Sequence, residues 1–352
     1  MKKLLSVFMA VTVACSFAAC GAQSTQPSSQ PAAQAPAAET PAANESTGKT
    51  VIKMATGGQD TLPSYAATLD VIKDIETADS TIDIEYYGAR QLGDDAEILQ
   101  QVMAGTIQMG GTAYSAFSTY TPLLEALTIP FLLNDYDKER AAMNAAETQA
   151  IFDKVEEDLG VKVLVSYDSG MRHFANNIKP ITSIADLKGL KMRVVPSDLL
   201  INSFKAMGAN PTSMAYGEIY TGLQNKVIDG EDINITSIYS EKHYEVLKYF
   251  TEIGVYPFAT IIFANADWFN SLDEATQKEI TDGFKNGYNY VFDKYLVDAE
   301  KAGYEAMEKA GVEVTKIEDV TPFKDAVKDV TEEYRQKDQL ISDFIDMANN
   351  LK

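Results

Sequence analysis

The chain of 352 residues carries 51 acidic side chains against 30 basic ones, a formal net charge of −21, and its 45% apolar content is ordinary for a globular protein. Nucleic acid and anionic bilayers both require a basic protein face, so this charge excludes them as binding surfaces. Two histidines, His173 and His243, are too few for a histidine-rich centre, and we predict no bound metal.

The amino-terminal segment has the three parts of a secretory signal. Lys2 and Lys3 precede an apolar run at 4–14, and small residues follow before Cys20. The apolar run is too short to span a membrane comfortably. We therefore predict that residues 1–19 are a signal peptide that directs the chain out of the cytoplasm.

Residues 17–21, with the sequence FAACG, resemble a bacterial lipobox, in which the cysteine is lipidated and becomes the new amino terminus. Phe17 replaces the leucine that is usual at the first position. The sequence predicts lipidation at Cys20, and the alternative is ordinary signal cleavage with Cys20 lost or left unmodified. Residues 20–49 are rich in Ala, Gln, Pro, Ser and Thr and cannot bury enough surface to fold. We predict a disordered tether that holds the body at the outer face of the membrane.

From residue 50 onward, short apolar strands alternate with amphipathic helices. The first strand, 50–56, is followed by a helix that begins at Pro63 and by a strand at 82–87. Asp94 and Asp95 predict the cap of a further helix. Later strand signals lie at 161–165, 190–195 and 261–264. This alternation predicts an α/β fold around a mainly parallel sheet.

One helical pattern, at about 273–310, is longer than a usual globular helix. Apolar and aromatic residues recur there at three- and four-residue steps, with no proline. A single helix of this length would extend past one lobe. The alternative is two helices broken near Gly283 or Gly287, although glycine interrupts a helix only mildly.

Signatures of catalysis are missing from the sequence. It contains no GxSxG elbow, phosphate-binding loop, HExxH or GxGxxG motif, and no cysteine follows Cys20. Carboxylate pairs at 94–95, 156–157 and 231–232 could support acid–base chemistry, but in so acidic a chain such pairs are mostly solvated surface or helix caps. We predict that the protein is not an enzyme, has no catalytic residue and uses no cofactor.

Arginine is rare, since only five of the 30 basic side chains are arginines. Arg172 follows an apolar strand, and Arg193 lies inside another. A charge buried in an apolar strand is costly unless a partner neutralises it. A guanidinium grips a carboxylate through two parallel hydrogen bonds, so the partner could be a ligand carboxylate. An internal Asp or Glu is an equally good partner, and these residues alone leave both open.

Residues 170–249 contain long motifs, among them DLKGLKMR, GANPTSMAYGEIYTGLQNKVIDGED and KHYEV. These motifs strongly resemble the solute-binding receptors of tripartite ATP-independent periplasmic (TRAP) transporters, a family that includes C4-dicarboxylate and sialic acid receptors. The resemblance continues in 88–110, 128–133 and 264–280, so that it covers most of residues 50–352.

The resemblance implies an α/β fold of two lobes, of the periplasmic-binding-protein kind, joined by crossover strands and spanned by one long helix. We assign 50–169 and 259–298 to lobe 1, and 170–258 and 299–352 to lobe 2. The resemblance further implies an extracytoplasmic receptor, expected to be a monomer, that binds a small organic carboxylate and delivers it to the membrane permease subunits.

Two alternatives remain open for the function. The same lobes could serve an ATP-driven importer or a sensor kinase instead of a TRAP permease. A protein of another class, a secreted hydrolase built on carboxylates, would turn its ligand over, whereas a receptor leaves it unchanged.

The resemblance also implies the ligand contacts. The arginine after DLKGLK, here Arg193, would form a salt bridge with the ligand carboxylate, Arg172 would be the second arginine, and Tyr216 would pack on the ligand. Weaker candidates lie around the DGxE step and at the ends of first-lobe strands. These candidates are Asp232, Ile233, Asn234, Tyr114, Thr56 and Gly57.

Two departures from the family bear on the ligand. Ile233 stands where many members have a ligand-bonding asparagine, and Ala113 stands where sialic acid receptors carry a glutamate. A buried polar ligand group without its partner is costly, so these losses argue against a polyhydroxylated sialic acid. We expect a smaller or more apolar carboxylate.

Overall fold

The computed structural model describes residues 49–351 of the chain. The predicted signal peptide, the lipidation site Cys20 and the tether up to residue 48 lie outside these residues. Within the described part, no helix is both long enough and apolar enough to cross a membrane.

Strands and helices alternate along residues 49–351, as the sequence pattern predicts. The strands are β1 (Thr50–Thr56), β2 (Ile82–Tyr87), β3 (Met109–Ala113), β4 (Val161–Asn176), β5 (Lys191–Val194), β6 (Asn210–Ser213), β7 (Gly230–Asn234), β8 (Tyr249–Glu252), β9 (Pro257–Asn265) and β10 (Glu313–Lys316). The helices are α1 (Pro63–Ala78), α2 (Asp95–Met103), α3 (Tyr136–Met143), α4 (Ala146–Leu159), α5 (Asp198–Ala206), α6 (Ile219–Gln224), α7 (Ile235–Ser240), α8 (Ala266–Ser271), α9 (Glu274–Tyr290), α10 (Leu296–Ala310), α11 (Thr321–Arg335) and α12 (Gln339–Asn349). The cap predicted before α2 is confirmed, since Asp94 and Glu97 form a capping box.

The strands form a mixed sheet in the order β2-β1-β3-β9-β4-β7-β5-β6, with β8 and β10 joined to it through β4. β1 pairs in parallel with β2 and β3, and β5 pairs in parallel with β6 and β7. β9 runs antiparallel to β3 and β4, and β4 runs antiparallel to β7 and β8. The prediction of a mainly parallel sheet therefore holds for the outer strands and fails at the centre, where the chain crosses between two lobes.

β4 is long enough to belong to both lobes. Its first part pairs with β9 as far as Met171, and residues 172–176 pair with β7. The pairing is interrupted between Asp168 and Met171, where Gly170 has a φ of 111°, which glycine adopts without strain. The chain thus passes from a first lobe, built around β1, β2, β3 and β9, to a second lobe, built around β5, β6, β7 and β8. The predicted two-lobed α/β fold is confirmed.

The long helical pattern forms one continuous element. α9 continues through a π-helical turn, Val291–Tyr295, into α10. At 1.5 Å per residue it spans about 55 Å, which is enough to follow both lobes. α9 packs on α1 in the first lobe, and α10 packs on α7 in the second.

The two glycines of α9 do not break it. A Cβ at Gly283 would lie 2.7 Å from Ile75, and one at Gly287 would lie 2.2 Å from the Tyr167 hydroxyl. Glycine is therefore required because α9 lies very close to α1 and β4, and the alternative of two broken helices is wrong.

Each lobe has its own apolar core. Along β9, Phe263 packs on one side of the first-lobe sheet and Ile262 on the other, because successive strand residues point to opposite faces. Along β4, Phe174 and Ala175 divide in the same way between two second-lobe clusters. These cores hold the strand ends that form the site.

The two carboxyl-terminal helices pack on different lobes. α11 packs on α5, with Phe323 and Val327 in a second-lobe core. α12 packs on α4, with Phe344 and Ile345 in a first-lobe core. The last helix thus lies on the first lobe, whereas the predicted boundaries assign residues 299–352 to lobe 2.

Candidate ligand-binding cleft

A cavity of about 150 Å³ lies between the lobes. It opens where the carboxyl ends of β1, β3 and β5 meet, which is where α/β sheets usually bind ligands. The residues that line it are Gly57, Gly58, Leu62, Tyr65, Asp94, Asp95, Ala96, Ala113, Ser115, Ala116 and Thr119 on the first-lobe side, Arg172, Arg193, Val195, Pro196, Ala215 and Tyr216 on the second-lobe side, and Phe258 from β9. Four predicted site residues are therefore brought together here: Gly57, Arg172, Arg193 and Tyr216.

Arg172, at the crossover of β4, is fully buried and largely satisfied by the protein itself. Its Nε and Nη2 donate to Oδ2 of Asp232 at 3.2 and 3.0 Å, and its Nη1 donates to Oδ1 of Asn234 at 3.1 Å. The ring of Phe258 covers the guanidinium at 4.8 Å, and Tyr256 donates its hydroxyl to Asp232. Arg172 is thus the centre of an internal ion pair as well as part of the cavity wall.

Arg193, on β5, is as deeply buried but far less satisfied, with 1% of its surface exposed. Its Nε donates to the Met214 carbonyl at 3.0 Å. Its Nη1 has no hydrogen-bond partner among the described residues, and the nearest carboxylate oxygen, Oδ1 of Asp232, lies 3.9 Å away and is itself unbonded. A buried guanidinium with unused donors is costly, and a bound carboxylate would satisfy it.

The pKa values of Arg172 and Arg193 are shifted in opposite directions, in agreement with their hydrogen bonding. Burial by itself lowers the pKa of both guanidinium groups. For Arg172 burial is the largest single effect, but the combined attraction of Asp232, Tyr256 and Glu231 outweighs it, and the pKa is raised above its ordinary value. For Arg193 burial prevails over Asp232, the repulsion of Arg172 adds to it, and the pKa is lowered. Arg193 therefore gains more than Arg172 from a further anion.

The walls beside the arginines are aromatic and closely fitted. The rings of Tyr216 and Phe258 line the cavity, and the Tyr216 hydroxyl is buried without a hydrogen-bond partner among the described residues. Gly57 has no side chain because a Cβ there would lie 1.7 Å from Oδ1 of Asp95. These residues present flat hydrocarbon surfaces that suit the body of a small organic molecule.

Asp95 is a cavity residue that the sequence pattern placed at a helix cap and in one of three acidic pairs, but not in the ligand site. It lies half-buried in the first-lobe wall, and its Oδ2 accepts the backbone N–H of Ala113 at 3.3 Å. Burial, and then the neighbouring Asp94 carboxylate, raise the pKa of Asp95 to about 7. The adjacent acidic pair was the available signal, but the pattern for a cap hides which carboxyl faces a cleft.

Arg90 forms an ion pair between the lobes that the sequence did not predict. It follows β2 in the first lobe, and its Nη1 and Nη2 donate to the two Glu241 oxygens, in the second lobe, at 2.9 and 3.0 Å. Its guanidinium lies 5.4 Å from the Tyr216 ring centre and also donates to the Gly57 carbonyl at 3.2 Å. Arg90 has a φ of 64°, a left-handed conformation that is rare for its residue type and typical of functional sites.

Besides Ile233, four predicted contacts lie outside the cavity wall. Thr56 is buried and shares a hydrogen bond of 2.8 Å with the Tyr86 hydroxyl. Tyr114 is buried in the adjacent first-lobe core and hydrogen bonds Ser166. Asp232 and Asn234 act behind the wall, where they hold Arg172.

Ile233 is a correction to the predicted site. It is fully buried in a second-lobe core with Ile219 and Leu223. Because successive residues of β7 point to opposite faces, Asp232 and Asn234 face Arg172 while Ile233 faces away. Ile233 cannot replace a ligand-bonding asparagine at the cleft.

No cluster of His, Cys, Asp and Glu side chains that could hold a metal ion occurs among residues 49–351. The cleft combines a buried cation, a carboxyl group and apolar walls contributed by two lobes, which is the arrangement of a binding site.

Comparisons with known proteins agree with this geometry. Residues 54–338 match the family described as bacterial extracellular solute-binding protein, family 7. The chain belongs to this family, and it is a solute-binding protein of the TRAP type, as predicted. The match does not favour the alternatives of another kind of receptor or a hydrolase.

Relatives in the family differ in what their names say they bind. The chain is 30% identical to the ectoine/5-hydroxyectoine-binding periplasmic protein UehA of Ruegeria pomeroyi over 72% of this chain and 76% of the relative. It is 31% identical to the C4-dicarboxylate-binding periplasmic protein DctP of Vibrio cholerae over 65% of this chain and 69% of the relative. A solved TRAP periplasmic solute-binding protein of Anaerococcus prevotii, with bound D-glucuronate, has a TM-score of 0.80 and 28% identity, with 86% of this chain and 97% of that chain covered. Family membership therefore does not fix the ligand.

Proposed function

We propose that the protein is an extracytoplasmic receptor that binds a small organic carboxylate in the cleft and delivers it to TRAP permease subunits. The observation that carries the ligand assignment is Arg193, a buried guanidinium whose Nη1 has no hydrogen-bond partner among the described residues and which lines the cavity. A carboxylate on Arg193 would use donors that the protein leaves unused.

Arg172 has a supporting role in this proposal. Its hydrogen bonds to Asp232 and Asn234 hold it in place, so it adds positive potential beside Arg193 without needing the ligand to satisfy it. Tyr216 and Phe258 would pack on the carbon skeleton of the ligand. The relatives' bound D-glucuronate and named C4-dicarboxylate support a carboxylate as the recognised group.

Closure of the lobes would complete the site. The cavity is lined from both lobes, so lobe closure excludes water and strengthens the ion pair between Arg193 and the ligand. The Arg90–Glu241 ion pair joins the lobes beside Tyr216 and would hold the closed form. In this proposal the first lobe also includes α12, because α12 packs on α4.

Location and attachment are further parts of the proposal. The lipobox-like residues 17–21 support a lipid on Cys20 that anchors the chain to the outer face of the membrane. Cys20→Ala should move the protein from the membrane fraction to the extracytoplasmic soluble fraction. Mass analysis of the amino-terminal peptide checks the lipid directly, and an unmodified cysteine would remove this part of the proposal.

A binding screen followed by product analysis tests receptor against enzyme. A carboxylate at about 100-fold its dissociation constant should add about 2.7 kcal/mol to the stability of the protein, which a thermal-shift assay detects. Equilibrium dialysis and mass analysis of the recovered ligand should then show saturable binding of an unchanged molecule. A chemically altered ligand would favour the hydrolase, and no binding by any organic acid would reject the receptor.

Delivery to a TRAP permease has its own test. Uptake by vesicles that contain the permease subunits should require this protein and an ion gradient but no ATP. Uptake that requires ATP would place the receptor with a different importer.

A further inference from the structure

The wall of the cleft offers a ligand mostly hydrocarbon. The side chains that supply this surface are Leu62, Tyr65, Val195, Pro196, Tyr216 and Phe258. The Tyr65 hydroxyl already donates to the Gly111 carbonyl at 3.2 Å. Among the described lining residues, Ser115 and Thr119 carry the aliphatic hydroxyls, and Thr119 is exposed at the rim. A ligand with several hydroxyls would leave most of them unpaired here.

The positive charge available to a ligand is about one unit. Arg172 and Arg193 are the basic side chains among the described residues of the wall. Asp232 neutralises Arg172 at 3.0 Å, whereas it lies 3.9 Å from Arg193 without a hydrogen bond. One carboxylate on Arg193 balances this charge, and a second carboxylate would have no cation to meet.

The opposite wall carries a negative group. Asp95 lines the cavity from the start of α2, and its Oδ2 is held by the Ala113 backbone N–H. Its other oxygen, Oδ1, lies beside Gly57 and accepts no hydrogen bond from the described residues, so a ligand hydroxyl or ammonium could donate to it. A second carboxylate placed there would meet a like charge in a partly desolvated site, which is strongly unfavourable.

We propose, on the basis of the function proposed above, that the ligand is a monocarboxylate with a compact apolar body and one hydrogen-bond donor. Its carboxylate binds Arg193, its body packs between Tyr216 and Phe258, and its donor group faces Asp95. Asp95 weakens the binding of dicarboxylates relative to monocarboxylates, so it determines specificity rather than overall affinity for carboxylates.

The ionisation of Asp95 adds a pH dependence to this specificity. The charged and titratable groups that act on Asp95 are Asp94, which raises its pKa, Arg90 and Arg193, which lower it, and Tyr65. Since the pKa is about 7, a falling pH removes the charge and converts the carboxyl into a donor. Dicarboxylates should therefore gain affinity relative to monocarboxylates from about pH 8 to about pH 6.

Isothermal titration of the purified protein with three matched acids tests the proposal. Alpha-hydroxyisocaproate has the carboxylate, the hydroxyl and a branched apolar chain, and isocaproate lacks the hydroxyl. The third acid, 3-isopropylmalate (isopropylmalate below), is alpha-hydroxyisocaproate with a second carboxylate on carbon 3. We expect alpha-hydroxyisocaproate to bind most tightly. The dissociation constant of isopropylmalate should be larger by a factor of about ten or more. D-glucuronate serves as the polyhydroxylated comparison.

The variant Asp95→Asn should reduce the difference in affinity between alpha-hydroxyisocaproate and isopropylmalate. It should also abolish the pH dependence of that difference. Glu97→Gln removes a carboxylate from the same helix, outside the cavity wall. This variant should change neither the affinity difference nor its pH dependence. This inference would be overturned if isopropylmalate or glucuronate bound more tightly than both alpha-hydroxyisocaproate and isocaproate. If Arg193→Ala abolished that binding, the proposed carboxylate receptor would still stand. Binding that ignores Arg193 would reject both.

Discussion

Arg172 and Arg193 flank β7 at the base of one cleft and are equally buried, yet the protein treats them differently. Asp232 and Asn234 complete Arg172, whereas Arg193 has a bond to one backbone carbonyl and an unused Nη1. The difference teaches that burial alone does not mark a ligand-binding arginine. A better indicator is the number of guanidinium donors that have no hydrogen-bond partner within the protein. A folded protein seldom leaves a buried charged group without hydrogen bonds unless a ligand supplies them.

The largest expected effect is on stability, from Arg172→Met. This variant removes the Arg172 guanidinium, so Asp232 stays buried without its main partner. Breaking such a buried pair should lower the free energy of unfolding by about 3–5 kcal/mol. Chemical denaturation of the ligand-free body measures this loss. The double variant Arg172→Met/Asp232→Leu is the control and should recover much of the stability; unchanged stability in the single variant would show that the pair is not structural.

Arg193→Ala should instead act on binding. A ligand carboxylate left buried and unpaired should lose about 2–5 kcal/mol of binding free energy, while stability without ligand changes little because Asp232 keeps Arg172. Arg193→Lys should also weaken binding, since the planar fork is lost. Titration with an identified ligand measures both. Equal affinity in wild type and Arg193→Ala, or a large loss of ligand-free stability, would reverse the roles of the two arginines.

A smaller effect is expected from Tyr256→Phe, which removes the hydroxyl that Asp232 accepts. Loss of a hydrogen bond to a buried charged group should cost about 1.5–3 kcal/mol of stability, with affinity changed much less. Tyr167→Phe is a matched control, because the Tyr167 hydroxyl donates to a neutral carbonyl, that of Phe284, at 2.6 Å. A loss of stability in Tyr167→Phe that is greater than in Tyr256→Phe would contradict the expectation that the charged acceptor, Asp232, makes the Tyr256 hydrogen bond the stronger of the two.

The smallest effect concerns the ion pair between the lobes. Arg90 and Glu241 keep 20% and 12% of their side chains exposed, so water screens their attraction. A double-mutant cycle with Arg90→Gln and Glu241→Gln should give a coupling of about 0.2–1 kcal/mol in ligand affinity, mainly as faster dissociation. Added salt should shrink this coupling. A coupling in stability but none in affinity would mean that the pair does not depend on closure.

The sequence predicted the parts of the molecule that depend on local pattern. The periodic stretch from Asp273 indicated the long helix, and close packing at Gly283 and Gly287 explains why glycine does not end it. The scarcity of arginine drew attention to Arg172 and Arg193, although the choice between a ligand and an internal acid stayed open. The two arginines differ only in three-dimensional detail, since one carboxylate, Asp232, lies 3.0 Å from Arg172 and 3.9 Å from Arg193.

The errors have physical reasons. Ile233 cannot share a role with both of its neighbours, because alternate strand residues face opposite sides; strand geometry applied to 232–234 excludes it without a structure. Arg90 and Asp95 are different, since their importance depends on what faces them across the cleft. A single sequence does not contain the pairing of Arg90 with Glu241, 151 positions away.

The alternate placement of α11 and α12 has a consequence for engineering. The backbone changes lobe in β4, before β9, along the long helix and again between α11 and α12. Neither half is an uninterrupted stretch of polypeptide, so recombining the halves of two homologues would need several simultaneous junctions. A fusion partner at the carboxyl terminus would follow α12, which packs on the first lobe, whereas the preceding α11 packs on the second.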